Sequence, residues 1–498
     1  MAKQTTRRTK TVHRDRKGLH MNSTITRIAT RLFISLLCLL TITGSVRPNT
    51  VEKIRSQGEI IVVTRNSPTT YFEDNVGATG YEFELAKAFA DHLGVDLVVK
   101  QADTLSDLYR EIESNDAAFA AAGLTVTQEK NKWVRFSTPY MHVSQQVIYR
   151  RGGMRPKESF DLAKGQLVVT SDGSHASYLR QLQNNQIPEL TWSESPDFET
   201  VELLQMVATG EVDFTVVDSN EFEMLQAYYP NLAIAFDLTG AQPLAWAFPQ
   251  SRDDSLFQAA EVFFRNAETN GLLSEFKERF YGHLDQLNYV GAKRFQRQTD
   301  KKLNKYDDLF QSAAKEHDLD WRLLAAMSYQ ESHWNPRAKS FTGVRGMMML
   351  TRRTAKELGV RNRLDPKQSI DGGADYLVKL RKRLPKEIQE PDRTWMALAA
   401  YNVGYGHLTD ARKLAIKDGG DDKLWMDVKN YLPLLSQKKH YKNTRHGYAR
   451  GNEPVSYVQN IRRYFDVLVW NDNPDLDLAL ESENLQLSAN IRVIPPLL

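Results

Sequence analysis

Between residues 59 and 99 the chain reads strand, helix, strand, and that order limits the folds open to its first half. Residues 60–63 form an apolar β-branched run. Tyr81–Leu93 carries apolar residues at helical spacing and closes on Gly94, and residues 95–99 are again mostly apolar and β-branched. Similar units recur at 166–182 and 201–217, an alternation that argues for parallel sheets covered by helices. At 498 residues the chain has room for two or three domains. The polar run at 291–302 reads as a solvated connector that puts a boundary between about 285 and 305. The expected division is an amino-terminal extension over 1–45, a first domain over 46–290, a second over 291–470 and a mobile tail over 471–498.

The second domain holds the most unusual residue. Residues 321–334 read as a helix capped by Asp320 and stopped by Asn335-Pro336. Spacings of three, four and seven place Glu331 on the stripe of Leu324 and Met327, which belong in a core. A carboxylate there must be paired, protonated or put to use. A lone glutamate is ordinarily an exposed one, but Tyr329, His333 and Trp334 surround this one with apolar and hydrogen-bonding groups. Desolvation in such surroundings raises a carboxyl pKa, which suits a general acid near neutral pH. Two further segments follow. Gly343 and Gly346 stand three apart ahead of Met347-Met348-Met349-Leu350, where backbone can approach a ligand closely. Residues 395–406 form a small-residue helix that ends in Tyr401-Asn402 and is terminated by glycine.

In this order the segments resemble the catalytic domain of the soluble lytic transglycosylase family, which has a mainly α, goose-type-lysozyme-like fold. The matching features are Gln330-Glu331-Ser332-His333-Trp334, Gly343-x-x-Gly346-x-Met348, Ala400-Tyr401-Asn402-x-Gly404 and Tyr457 in Pro454-Val455-Ser456-Tyr457-Val458. Many members carry Gln where this chain has Met349. The resemblance implies a substrate of peptidoglycan glycan strands, cut between N-acetylmuramate and N-acetylglucosamine to leave 1,6-anhydro ends. Ordinary glycosidases need two carboxylates, and no second Asp or Glu lies within these motifs. Glu331 would serve as acid and then base while the muramate C6 hydroxyl attacks in place of water. Tyr401, Asn402 and Tyr457 would line the site, and Ser332 and Met348 would touch Glu331 or the sugar.

The first domain resembles the periplasmic solute-binding proteins of the amino-acid-binding type, a bilobal α/β fold. The matching stretches are Gly80-Tyr81-Glu82-Phe83-Glu84-Leu85-Ala86, residues 121–130, Phe136-Ser137-Thr138-Pro139-Tyr140 and residues 212–219. That implies Tyr81, Thr125, Lys130 and Asp218 as ligand contacts. Lys130 stands where an Arg usually grips the ligand carboxylate, and lysine lacks the bidentate fork. The ligand expected is an amino acid or a wall-derived muropeptide acting as effector. A scaffold that has lost its ligand is the alternative.

Residues 32–43 are a short apolar stretch behind Arg27 and Arg31 with small residues after it, the pattern of a secretory signal and too short for a membrane span, which needs about 20 residues. Met21 is an alternative start. Removing residues 1–45 takes nine of the 65 basic and one of the 62 acidic residues, leaving 56 against 61. The basicity belongs to the leader, so nucleic acid is not an expected partner. The expected location is the periplasm, peripheral on the outer membrane. Cys38 is the one cysteine, which excludes intrachain disulfides and cysteine zinc sites; no metal or cofactor is expected. The basic and aromatic run from Lys438 to Arg450 is either a solvated loop or a rim for anionic peptide stems. Three function classes follow: a lytic transglycosylase, a lysozyme-like muramidase, and a solute-binding sensor with an inactive enzyme-like domain.

Overall fold

The computed structural model describes residues 48–74, 77–284, 289–340, 343–472 and 492–495. The expected leader, with Cys38, lies outside them. The first lobe is built on a sheet of β1 (Glu59–Thr64), β2 (Asp96–Gln101), β3 (Phe119–Ala120) and β4 (Val134–Phe136), packed against helix α1 (Tyr81–Leu93). The second lobe uses β5 (Gln145–Arg150), β6 (Leu167–Thr170), β7 (Trp192–Ser195), β8 (Phe214–Asp218) and β9 (Leu232–Asp237). The chain then returns to lobe one with β10 (Ala247–Pro249), so the lobes share two crossovers. The sheet orders are β2-β1-β3-β10-β4 and, from β9, β9-β5-β8-β6-β7.

Both sheets are mixed, whereas the alternation led us to expect parallel ones. β1 pairs parallel with β2 and β3, and β8 with β6, but β10 and β5 run antiparallel to their neighbours. The returning crossover brings β10 back from the opposite direction, and local periodicity carries no information about strand direction.

Past α2 (Leu272–Tyr281), residues 291–302 are not a solvated connector. They belong to helix α3 (Tyr289–Lys302). Phe295 on it is buried against Tyr329, Trp334 and Tyr464, with ring centroids 4.6, 5.6 and 4.7 Å away. The charges cover the other faces of α3, and one apolar face is enough to dock it.

The second domain is helical: α4 (Asp307–His317), α5 (Trp321–Ser332), α6 (Pro366–Arg383), α7 (Asp392–Val403) and α8 (Asn452–Asn471) carry most of it. Asp320 caps α5 by accepting from the Arg322 amide at 2.8 Å. Leu324, Ala325, Ala326 and Met327 are fully buried, and α5 lies along α8. The run Met396 to Ala400 on α7 is likewise buried, its alanines letting α7 approach α8 closely.

Helix α8 also docks the two domains. The buried Arg462 donates to the carbonyls of Glu278 and Arg279 at the end of α2, at 3.0 and 2.6 Å. Arg463 donates to the carbonyl of His283, whose ring meets Asp466, and Lys429 pairs with Glu278 at 2.6 Å. A guanidinium capping helix-terminal carbonyls satisfies groups that would otherwise be buried unpaired.

Part of the tail expected to be mobile is a strand. β11 (Arg492–Ile494) pairs antiparallel with Trp192, Ser193 and Glu194, extending the second lobe's sheet. Gln183 Nε2 donates to the Pro495 carbonyl at 2.7 Å, and Ile494 packs on the lobe's core. Any strand can cover an open sheet edge through its backbone, so composition gave no warning. Residues 473–491 lie outside the described set.

Candidate functional site

Helix α5 positions Glu331, and the turn after it shapes the site. The helix stops at Ser332, earlier than the Asn335-Pro336 signal suggested. His333 and Trp334 take left-handed backbone, with φ of 52° and 53°. Two non-glycine residues there cost about 1–2 kcal/mol each. Trp334 offsets this by burying its indole and donating Nε1 to the Ala325 carbonyl at 2.9 Å. His333 itself is exposed, with its ring edge-on to Tyr329.

That reversal lets the 343–350 loop pass beneath the end of α5. Ser332 Oγ donates to the Met347 carbonyl at 2.9 Å, and Ser328 Oγ reaches the same oxygen at 3.3 Å. Tyr401 on α7 donates its hydroxyl to the Met348 carbonyl at 2.9 Å. Gly346 is required here: its φ is +87°, and an added Cβ would stand 1.7 Å from the Arg363 carbonyl oxygen.

Tyr457 on α8 completes the centre by donating its hydroxyl to Glu331 Oε1 at 2.7 Å. Burial pushes the Glu331 carboxyl up to about 7, while the Tyr457 hydrogen bond pulls it part of the way back. Among the described residues no second carboxylate contributes to that shift. Tyr401 lies close enough for the Glu331 charge to help hold its hydroxyl protonated, after burial itself. The arrangement is therefore one carboxyl that exchanges its proton near neutrality, with a tyrosine hydroxyl that favours its ionised form.

The structure thus gathers Glu331, Ser332, Tyr401 and Tyr457. Ser332 and Met348 act differently from the contacts expected of them. Ser332 is committed to loop carbonyls, and Met348 is fully buried, its side chain against Gly373 on α6, so it offers the sugar no surface. Asn402 is exposed on α7 and makes no side-chain hydrogen bond among the described residues. Met349 is half-buried with φ of 46° and has no polar group to offer. In the 438–450 run, Tyr441 and Tyr448 stack edge to face at 5.7 Å, and Lys438, Lys439 and Lys442 are exposed.

Between the two lobes of the first domain lies a cleft lined by Thr125, Lys130 and Asp218. Lys130 Nζ sits over the Tyr109 ring at 4.4 Å, and Asp218 Oδ1 lies 3.0 Å from His175 Nε2. Tyr81 is not in the cleft. Its ring is buried in the first lobe among Tyr140, Phe280 and Tyr281. Being first on α1, it sits where its helix meets α2, and that packing outweighs any role facing the lobes.

Sequence reasoning missed Arg65, which is the guanidinium the cleft contains. It donates to Glu199 of the second lobe at 2.7 Å and lies 3.6 Å from Glu221, while its Nε holds the Ala122 carbonyl. Ser106 with Asp172 (2.7 Å) and Ser177 with Glu129 (3.0 Å) add further bonds between the lobes. Nearby, Glu82 is buried against the Tyr140 hydroxyl and the Gly123 amide, and burial pushes it up to about 7. No motif marks Arg65, since it is a single basic residue after a strand. With the lobes bridged this way the cavity is about 40 Å³, room for very few waters.

Among the described residues one group has the chemistry of a metal site: Glu316, His317 and Asp371, where the imidazole already bonds Asp371 at 2.8 Å. No described helix is long and apolar enough to cross a membrane.

Comparisons with known proteins match both halves. Residues 60–283 match the bacterial extracellular solute-binding proteins, family 3, and residues 308–423 match the transglycosylase SLT domain. The membrane-bound lytic murein transglycosylase F of Ectopseudomonas mendocina (strain ymp) is 50% identical over 88% of this chain and 90% of its own length. The protein of the same name from Saccharophagus degradans is 47% identical over 93% of this chain and 94% of its own, and that of Pseudomonas fluorescens (strain Pf0-1) is 49% identical over 90% and 92%.

Proposed function

The chain belongs to the membrane-bound lytic murein transglycosylase F family, peptidoglycan lytic transglycosylases with a solute-binding domain, and we propose that Glu331 carries both proton transfers of the reaction. The observation that supports this most is a lone carboxyl pushed up to about 7 and bonded to Tyr457. As an acid, Glu331 gives its proton to the oxygen linking muramate C1 to the glucosamine, and that C–O bond breaks. As a carboxylate it then takes the proton of the muramate C6 hydroxyl, whose oxygen bonds to C1. No water enters, and Glu331 ends protonated as it began. Among the described residues no neighbouring carboxylate acts on Glu331, and with no second base placed for water this route is favoured over a muramidase. Mass spectrometry of digested sacculi separates them: anhydro ends are expected, and reducing ends one water heavier count against the reading.

Tyr457→Phe tests the pairing. The tyrosine hydrogen bond lowers the Glu331 pKa, so removing it raises that pKa and moves the alkaline limb of kcat/KM to higher pH. The rate should also fall, by about tenfold or more, because Glu331 becomes a weaker acid and the carboxylate it leaves on giving up its proton is less well stabilised. An unmoved limb would count against the pairing.

The first domain serves in this proposal as a receptor for an amino acid or wall-derived muropeptide that adjusts the enzyme. Thr125, Lys130, Asp218 and Arg65 face the cleft, and α8 runs from Tyr457 to the domain contact at Arg462. A peptide cannot enter a 40 Å³ cavity, so binding requires the lobes to part and the Arg65–Glu199 bridge to break. Calorimetric titration of the full chain with muropeptides should show heat; none would leave a scaffold without ligand. The proposed location is the periplasm, with peripheral attachment to the outer membrane.

A further inference from the structure

Residues 337–367 contain nine Lys or Arg and two acidic residues, in a chain whose basic and acidic totals are 65 and 62. Both acids are already committed. Glu357 pairs with Arg353 at 2.9 Å, and Asp365 caps α6 by accepting from the Gln368 amide at 2.8 Å. Arg345 and Arg352 have no acidic partner among the described residues. Arg363 is fixed on the same loop, donating Nη1 to the carbonyls of Gly343 and Leu350 at 2.9 and 2.8 Å. The crowding is real enough that Arg345 and Arg352 both push the Arg363 pKa down, after burial. Like charges held together on a loop repel, and an anion seated among them would relieve that cost.

The place of this cluster decides what the anion is. Arg345 exchanges backbone hydrogen bonds with Leu350 across the turn that carries Met347 and Met348, whose carbonyls hold Ser332 and Tyr401. Arg345 is thus carried on the same turn whose carbonyls hold Ser332, next in sequence to Glu331, and Tyr401. Six of the cluster's nine cations are arginines, whose planar forks suit carboxylates. A membrane-binding surface would set apolar anchors beside its cations. Among the described residues the large exposed apolar side chains lie elsewhere, at Trp133, Phe160 and Ile416 for instance, and none falls between 337 and 367.

We propose that Arg345 and Arg352, with Arg363 beside them, dock the carboxylates of the peptide stems on the strand being cut, so that the enzyme discriminates stem-bearing from bare glycan. This rests on the reading of Glu331 as the cutting residue.

The test uses the full chain, with Arg352→Gln alone and combined with Arg345→Gln. Substrates are glycan strands carrying their stems and the same strands stripped by an amidase, and kcat/KM is taken from anhydro-ended products. Wild type should favour stem-bearing strands, and the double variant should lose roughly five- to tenfold of that preference, the size of two exposed ion pairs, with activity on stripped strands unchanged. Added salt should shrink the wild-type preference and leave the variant's alone. Lysine at both positions should restore part of the preference. An equal loss on both substrates, or an unaltered ratio, overturns the proposal. So does a variant that keeps its stem preference but no longer cosediments with phosphatidylglycerol vesicles, since the surface would then serve a membrane. Glu331→Gln is run alongside: anhydro ends persisting in it would remove the Glu331 reading, a failure distinct from an unaltered ratio.

Discussion

Glu331→Gln should abolish release of anhydro-ended fragments, lowering the rate by about a thousandfold or more, because general acid catalysis alone supplies that order of acceleration and in the proposed route this carboxyl serves twice. Glutamine keeps the shape and can still meet Tyr457, so the fold should survive. Stability should even improve, with a definite pH dependence. The carboxyl sits at about 7 in the folded chain against 4.5 as the ordinary value. The folded state therefore holds the proton more tightly than the unfolded chain does. Wild-type stability falls as pH rises from 4.5 through 7, and the loss is complete above that. The variant carries no such penalty, so it should equal wild type near pH 4 and exceed it near pH 8 by about 2 kcal/mol, allowing for the carboxyl's partial contact with solvent. Thermal melts at the two pH values, set beside product analysis, check both claims. A variant that stays active, or melts no higher than wild type at pH 8, would count against Glu331 as a buried acid.

Gly346→Ala should be the most damaging change outside the chemistry itself. The backbone there has φ of +87°, costing an alanine about 1–2 kcal/mol. Its methyl would also stand 1.7 Å from the Arg363 carbonyl oxygen, a backbone atom that cannot swing aside. Relief requires the 343–350 loop to shift, which breaks the Gly346 amide bond to the Ala338 carbonyl and moves the Met347 and Met348 carbonyls that hold Ser332 and Tyr401. A loss of roughly 3 kcal/mol or more from the catalytic domain is expected. Urea unfolding followed by tryptophan fluorescence should show that domain's transition at lower denaturant. Activity should fall even where the domain remains folded, although Glu331 and Tyr457 are untouched.

Much of the candidate site's local geometry could be read from the chain. Asp320 does cap α5, Glu331 does share a face with buried Leu324 and Met327, and Gly346 stands at a turn that tolerates no side chain. These are local matters of spacing and conformational allowance. The length of α5 was less legible, because the indole of Trp334 reaches back to Ala325 and holds a left-handed turn that no breaker residue announces. Met348 shows the same limit. Its motif position was plain, but not that the side chain points into the core while the carbonyl serves the site. In the first domain the cleft residues Thr125, Lys130 and Asp218 came from their motifs, whereas Tyr81 proved to be core and Arg65 went unnoticed.

By itself the sequence determined the kinds of element, the α/β half followed by a helical half, and the carboxylate around which the second half is arranged. Such features depend on neighbours three or four residues away, which periodicity and turn chemistry record. Tertiary structure alone decided that Tyr457, 126 residues further on, meets Glu331, and that α3 docks through Phe295. It likewise decided that Arg65 bridges the lobes and that the tail closes a sheet edge. Those pairings arise when distant segments pack together, and their free energy comes from burial and hydrogen bonds that do not exist until the chain has folded.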